Sequence, residues 1–129
     1  MEYSVKILGK LHKLPKYTLN VEKECKTIIE SGTKYNSGNI SAEELLSDEI
    51  DFLKSVIGDD AVNSLFGDTI GNMDINEVDS VCCDIVREYQ RPAREKEQKE
   101  LEERYAPVKK ILAEKGMTAA LNAVAKQNV

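Results

Sequence analysis

The chain has 129 residues, of which 41% are apolar and 32% charged, with no tryptophan and a formal net charge of −5 at pH 7. This length fits one domain whose core rests on aliphatic side chains. It contains no run of about 18 apolar residues, and its N-terminus lacks the pattern of a signal peptide, so we expect a cytoplasmic protein rather than a membrane-spanning or secreted one.

Charge is distributed unevenly along the chain. Residues 1–41 carry a net charge of +3, residues 42–84 carry −11, residues 85–104 are balanced and residues 105–129 carry +3. An acidic middle repels phosphate backbones, so nucleic-acid binding is disfavoured, whereas a basic protein partner would be attracted. The acidic block is also compatible with an ordinary solvated helix surface.

The N-terminal segment predicts a β-hairpin. Tyr3, Val5 and Ile7 alternate with polar residues, which is typical of a half-buried strand. A turn at Gly9 and a second extended piece over 11–19 would complete the hairpin, with Pro15 confining that piece to an edge or a bulge. A lone hairpin needs helices to pack on.

A first helix is predicted from an N-cap at Asn20 to a break at residues 31–32, followed by a polar linker over 33–39. Cys25 lies on the apolar face of this helix. The chain's one histidine, His12, falls in the predicted hairpin with no acidic partner, so we interpret Cys25 as a buried packing residue and not as a nucleophile.

Two further helices follow. Ser41 and Glu44 form a capping box at the start of the second helix, and Gly58 is its expected end. Its apolar stripe comprises Leu45, Leu46, Ile50, Leu53, Val56 and Ile57. A short third helix, capped by Asp59 or Asp60, would bury Ala61, Val62, Leu65 and Phe66 before Gly67.

A fourth helix is predicted to begin at Asp74 with Glu77 as its capping partner. Its packing seam comprises Ile75, Val78, Cys82, Ile85 and Tyr89. The acids around Asp74 lack the ligand offsets of a calcium loop, and the adjacent Cys82 and Cys83 lack the further ligands that zinc requires. We therefore expect no metal site, no cofactor and no catalytic residue, and three cysteines that stay reduced.

Prolines mark the C-terminal third. Pro92 predicts a kink or a restart of the helix, and Pro107 predicts a second break and the start of a new helix. Between them the residues are almost wholly charged, which favours an exposed helix. A weakly amphipathic tail follows, with apolar residues at Val108, Ile111, Leu112, Leu121 and Val124.

The predicted fold class is mainly α: a compact helical domain with a short N-terminal β-hairpin and a protruding C-terminal helical extension. The predicted organisation places the hairpin and helical body in residues 1–91. It places the charged helical extension and the amphipathic tail in residues 92–129.

The order of these elements resembles that of the tail assembly chaperones of long-tailed bacteriophages and prophages of Gram-positive bacteria. The resemblance rests on the segments 3–9 (YSVKILG), 50–53 (IDFL), 56–58 (VIG), 61–67 (AVNSLFG), 72–74 (NMD) and 103–107 (ERYAP). It covers about residues 1–107. The chain departs from the family's usual finish, because a helical segment continues past Pro107 and is only mildly basic.

The resemblance implies a protein that is not an enzyme and that works in the cytoplasm of the host bacterium. Its role would be to bind the tape measure protein and keep it soluble during tail assembly, with the tail tube subunit as a possible further partner. A tape measure protein presents amphipathic helices, so such a chaperone needs an apolar groove with charged rims.

The residues leave two choices open. The partner surface is predicted at Val62, Leu65 and Phe66, or at the tail residues Val108, Ile111, Leu112 and Leu121, and either set could instead be ordinary core. The alternative function is a small self-associating interaction or regulatory module of a prophage or mobile element, for example a homo-oligomer such as a dimer built on the seam over 75–89 and the charged extension.

Overall fold

The computed structural model describes residues 1–115. A two-stranded antiparallel sheet, β1 (Tyr3–Ile7) and β2 (Lys10–Leu14), precedes four helices. These are α1 (Leu19–Asn36), α2 (Ala42–Ile57), α3 (Asp59–Phe66) and α4 (Ile75–Lys115), with a short 3-10 turn at Ile70–Asn72. The mainly helical architecture with an N-terminal hairpin is therefore confirmed. The chain divides into two units, Met1–Gln90 and Arg91–Val129.

The hairpin is closed by the two residues Leu8 and Gly9, since Ile7 pairs with Lys10. Both have positive φ, 50° and 82°, as in the turn type that suits the twist of a two-residue hairpin. Val5 and Ile7 are buried, and Ser4 and Lys6 are exposed, as the alternation predicts. The second strand is shorter than expected because it ends at Leu14, directly before Pro15.

The first helix differs from the prediction at both ends. It begins two residues earlier, with the Thr18 hydroxyl accepting from the amide of Val21 at 3.3 Å, and it continues through Gly32 to Asn36. Ser31 explains the continuation, because it is buried and donates a hydrogen bond to Asp48 of α2 at 2.9 Å. Packing against α2 outweighs the modest helix cost of one glycine.

The predicted caps of α2 and α4 are present. The Ser41 hydroxyl accepts from the amide of Glu44 at 3.1 Å, and Asp74 accepts from the amide of Glu77 at 3.0 Å. Gly58 ends α2 with a φ of 91°, a conformation that side-chain-bearing residues rarely adopt. It also precedes α3 directly, so Asp59 lies in the first turn of that helix and is not its cap.

Replacing Ser41 by alanine is expected to lower the free energy of unfolding by about 1 kcal/mol, because the amide of Glu44 then loses its side-chain acceptor. Urea unfolding followed by circular dichroism measures the change. Ser80, exposed within α4, provides the matched control, and Ser80→Ala should leave stability unchanged or slightly raised. Equal effects of the two substitutions would contradict the capping role.

The core of the first unit lies where the hairpin, α1, α2, α3 and the first part of α4 meet. Its most completely buried side chains are those of Ile7, Leu53, Ile85, Glu49, Val62 and Val78. Tyr89 is 3% exposed, and its hydroxyl donates to the carbonyl of Pro15 at 2.9 Å. Its ring lies 5.0 Å from that of Tyr3 and 5.1 Å from that of Tyr17, so three tyrosines join the hairpin to α4.

The predicted helix restarts at the prolines are wrong for the described chain, since both Pro92 and Pro107 lie inside α4. A proline removes one helical hydrogen bond and crowds the preceding turn. Residues 93–113 are all exposed, so water can satisfy the freed carbonyl four residues before Pro107. Ion pairs one turn apart, Arg91 with Glu95 at 3.3 Å and Lys96 with Glu100 at 4.0 Å, accompany this stretch.

Among the residues that the structure describes, no helix combines the length and the apolar character needed to cross a membrane.

Candidate functional site: an acidic groove between three helices

An open groove of about 700 Å³ lies in the first unit and is lined by residues of α1, α2 and α4. We call it the acidic groove. Its aliphatic lining residues are Ile28, Ile29, Leu45, Ile75 and Val86. Ile29 and Ile75 are 48% and 43% exposed, whereas Ile28 and Leu45 belong to the buried set. The groove therefore offers accessible apolar surface on top of well-packed walls.

The polar lining includes Glu49 from α2 and Asp79, Arg87 and Gln90 from α4. Glu49 is only 1% exposed, and its Oε1 atom makes no hydrogen bond to the described residues. A buried polar atom without a partner is costly, so such an atom at a groove marks a position where a ligand group could bind.

The electrostatics of Glu49 follow from its position. Burial, reinforced by the nearby Asp79 carboxylate, raises the pKa of Glu49 to about 8. The Cys82 thiol donates to the backbone carbonyl of Glu49 at 3.7 Å, which ties α4 to α2 at this point. At neutral pH, Glu49 is mostly protonated, and a cation placed beside it would favour its ionised form.

The cysteines have the character of packing residues. Cys25 and Cys82 are 4% and 3% exposed, Cys83 is exposed, and none of the three forms a disulfide. Burial raises the pKa of Cys25 to about 11 and that of Cys82 further above its ordinary value. Since the thiolate is the nucleophile and the metal ligand, neither thiol is activated at neutral pH. Within residues 1–115, no group of three or more side chains is arranged to hold a metal ion.

The predicted partner residues fall into two different environments. Val62 is completely buried, so it offers no surface to a partner. Leu65 and Phe66 are partly buried and pack against the core. Val108, Ile111 and Leu112 are 50%, 55% and 49% exposed on α4, and Leu121 lies outside the described residues. None of the six described residues of these two sets lines the acidic groove.

The seam predicted on the fourth helix is mostly core. Val78, Cys82, Ile85 and Tyr89 are all at most 3% exposed, so a second copy could not pack on them, and only Ile75 remains accessible. Sequence reasoning missed the groove itself. One signal was available for Glu49, which lies three residues after Leu46 and four before Leu53, on the apolar face of α2.

Comparison of the chain with protein-family models, with curated proteins and with solved structures gave no significant match.

Proposed function

We propose that this protein is a tail assembly chaperone of a phage or prophage, and that it binds an amphipathic helix of the tape measure protein in the acidic groove. The observation that carries the proposal is the combination of exposed apolar walls with a buried Glu49 whose Oε1 atom lacks a hydrogen-bond partner among the described residues. Apolar grooves between helices are a common way of holding an amphipathic helix.

The chemistry of the groove specifies the helix that fits it. Ile29 and Ile75 offer apolar contact on its two sides, from α1 and from α4. Glu49 and Asp79 supply two carboxyl groups, within a segment, 42–84, that carries a net charge of −11. A helix with an apolar stripe and a lysine or arginine at its edge complements both features, because its cation would pair with the exposed Asp79, beside Glu49, while its stripe covers the isoleucines.

Covering the apolar stripe of the tape measure helix would keep that partner soluble. Exposed apolar stripes of a long helical protein associate with one another in water, and covering each stripe removes that driving force. This role needs affinity and reversibility but no bond-making chemistry. The protonated thiols of Cys25 and Cys82 are compatible with such a binding role.

Co-expression with the tape measure protein encoded nearest to its gene tests the proposal. We expect the tape measure protein to become soluble and to co-purify with the wild-type chain. The double variant I29D/I75D should lose both effects, because two carboxylates would then face the partner's apolar stripe. Both positions are about half exposed, so folding should persist, which circular dichroism checks.

Leu19→Asp is the matched control, since Leu19 is 65% exposed on α1 and lies outside the groove lining. This variant should retain capture. Two results would overturn the proposal: a tape measure protein that stays insoluble with the wild-type chain, or capture that survives in I29D/I75D.

A further inference from the structure

The second unit carries an apolar stripe on α4 that is separate from the acidic groove. Leu101, Tyr105, Val108 and Leu112 follow one another at intervals of four, three and four residues, with Ile111 beside them. The exposed fractions are 44% for Leu101, 52% for Tyr105, 50% for Val108, 49% for Leu112 and 55% for Ile111. The four-three alternation is the spacing of a coiled-coil seam, in which each apolar side chain packs between side chains of a second helix.

We propose that this α4 stripe binds the same stripe of a second copy of the chain, with the two helices antiparallel. The pairing uses residues of the second unit alone and does not depend on the proposed chaperone function. Loss of either binding activity would therefore leave the other measurable.

Apolar matching selects one antiparallel register. When Leu101 of one copy faces Leu112 of the other, Tyr105 faces Val108, and the same two contacts recur by symmetry. All four layers are then apolar, and a large ring lies opposite a small side chain in both central layers. Shifting the register by one heptad in one direction would place Leu112 opposite Arg94, and shifting it in the other direction would place Tyr105 opposite Lys115.

The flanking charges select the antiparallel orientation. In a parallel pair, the positions beside the seam would bring Glu97 against Glu102 and Arg104 against Lys109, and both contacts are between like charges. In the antiparallel register, Glu102 of each copy comes next to Lys109 of the other. Glu102 and Lys109 line the same surface of α4 as Leu101 and Tyr105, so they are placed to flank such a seam.

Four layers make a short interface. It belongs to the weak class that buries less than roughly 1,200 Å² in total, and a dissociation constant in roughly the micromolar range is expected. Pro107 lies away from the seam, since it falls two residues after Tyr105 and five before Leu112, so its missing amide does not interrupt the contact.

Sedimentation of the full-length chain over a range of concentrations tests the pairing. We expect a monomer–dimer equilibrium in which Glu102→Lys and Lys109→Glu each weaken the dimer about five- to thirty-fold, because two attractive contacts become repulsive. The double variant E102K/K109E should restore the wild-type dissociation constant. In a parallel dimer, each single substitution would instead strengthen association, so the sign of the effect reports the orientation.

Matched controls change the same charges on the outer face of α4. Glu103→Lys and Lys110→Glu each follow the tested residue by one position and point away from the seam, so they should leave the dissociation constant within about two-fold of wild type. An equal loss in these controls would show a net-charge effect and would overturn the proposed contacts.

Cross-linking gives an independent result. In a Cys83→Ser background, an oxidised mixture of Leu101→Cys and Leu112→Cys chains should form the mixed disulfide dimer, whereas each variant alone should not. Self-linking of either variant alone would indicate parallel helices. That result, or a chain that stays monomeric at about 1 mM, would overturn the proposal.

Discussion

Replacing Tyr89 by alanine is expected to lower the free energy of unfolding of the first unit by about 3–5 kcal/mol, a large part of the stability of a small domain. The substitution removes a ring that is 3% exposed and that packs on Tyr3 and Tyr17. It also leaves the carbonyl of Pro15 without its donor. Chemical denaturation followed by circular dichroism measures the loss.

Conservative variants separate the contribution of the packed Tyr89 ring from that of its hydrogen bond to Pro15. Tyr89→Phe keeps the ring and removes the hydroxyl, so it should cost only about 1 kcal/mol. Tyr35→Phe is the matched control, because Tyr35 is 39% exposed, and stability should not change. If Tyr89→Phe were as damaging as Tyr89→Ala, the hydrogen bond to Pro15, and not the packing of the three rings, would dominate.

Short sequence motifs were sufficient to predict helix ends, where a particular residue type caps the helix or adopts a positive φ. Ser41 with Glu44 and Asp74 with Glu77 form the caps that their spacing predicts, and Gly58 has the positive φ expected of a helix end. These interactions span three or four residues, so they depend little on the rest of the fold. Sequence patterns predict such features well.

The end of α1 could not be predicted locally, because it depends on a distant residue. Ser31 and Gly32 break the apolar pattern, yet Ser31 is held by Asp48, seventeen residues away. Pro107 illustrates the opposite situation. The sequence predicts a helix break there, but an exposed helix can continue through a proline when water satisfies the freed carbonyl.

The acidic groove is a tertiary feature, and only parts of it could be recognised in the sequence. Ile29 and Ile75 are separated by 46 positions in the sequence, and they line the same groove only in the folded chain. The stripe of α4 was partly predicted through Val108, Ile111 and Leu112. Its continuation to Leu101 and Tyr105 was hidden by the expected break at Pro107.

Glu49 provides the largest expected pH effect. Its pKa rises from an ordinary 4.5 to about 8 in the folded chain, mainly by burial and further through Asp79 and Asp48. Between these two values the folded state binds more protons than the unfolded state, so the free energy of unfolding falls as pH rises from about 4.5 to about 8. The contribution lost across this interval is on the order of 3–5 kcal/mol.

Glu49→Gln should remove this dependence, because glutamine resembles the protonated carboxyl and does not ionise. Wild type and E49Q should be similarly stable at pH 5, and E49Q should be the more stable protein at pH 9, as denaturation at a series of pH values would show. Glu30→Gln, at an exposed position of α1, controls for the loss of one acidic side chain and should follow the wild-type curve. Parallel curves for wild type and E49Q would contradict the burial argument.

Ionisation of Glu49 also links the stability of the chain to its affinity for the proposed partner. A lysine or arginine bound beside Glu49 would favour its ionised form, so binding should release a proton and should strengthen as pH rises toward 8. Affinity for the tape measure helix should therefore increase over the interval in which the free chain loses stability. E49Q should be both pH-insensitive and weaker in binding, and a pH-independent wild-type affinity would place the partner's cation elsewhere than beside Glu49.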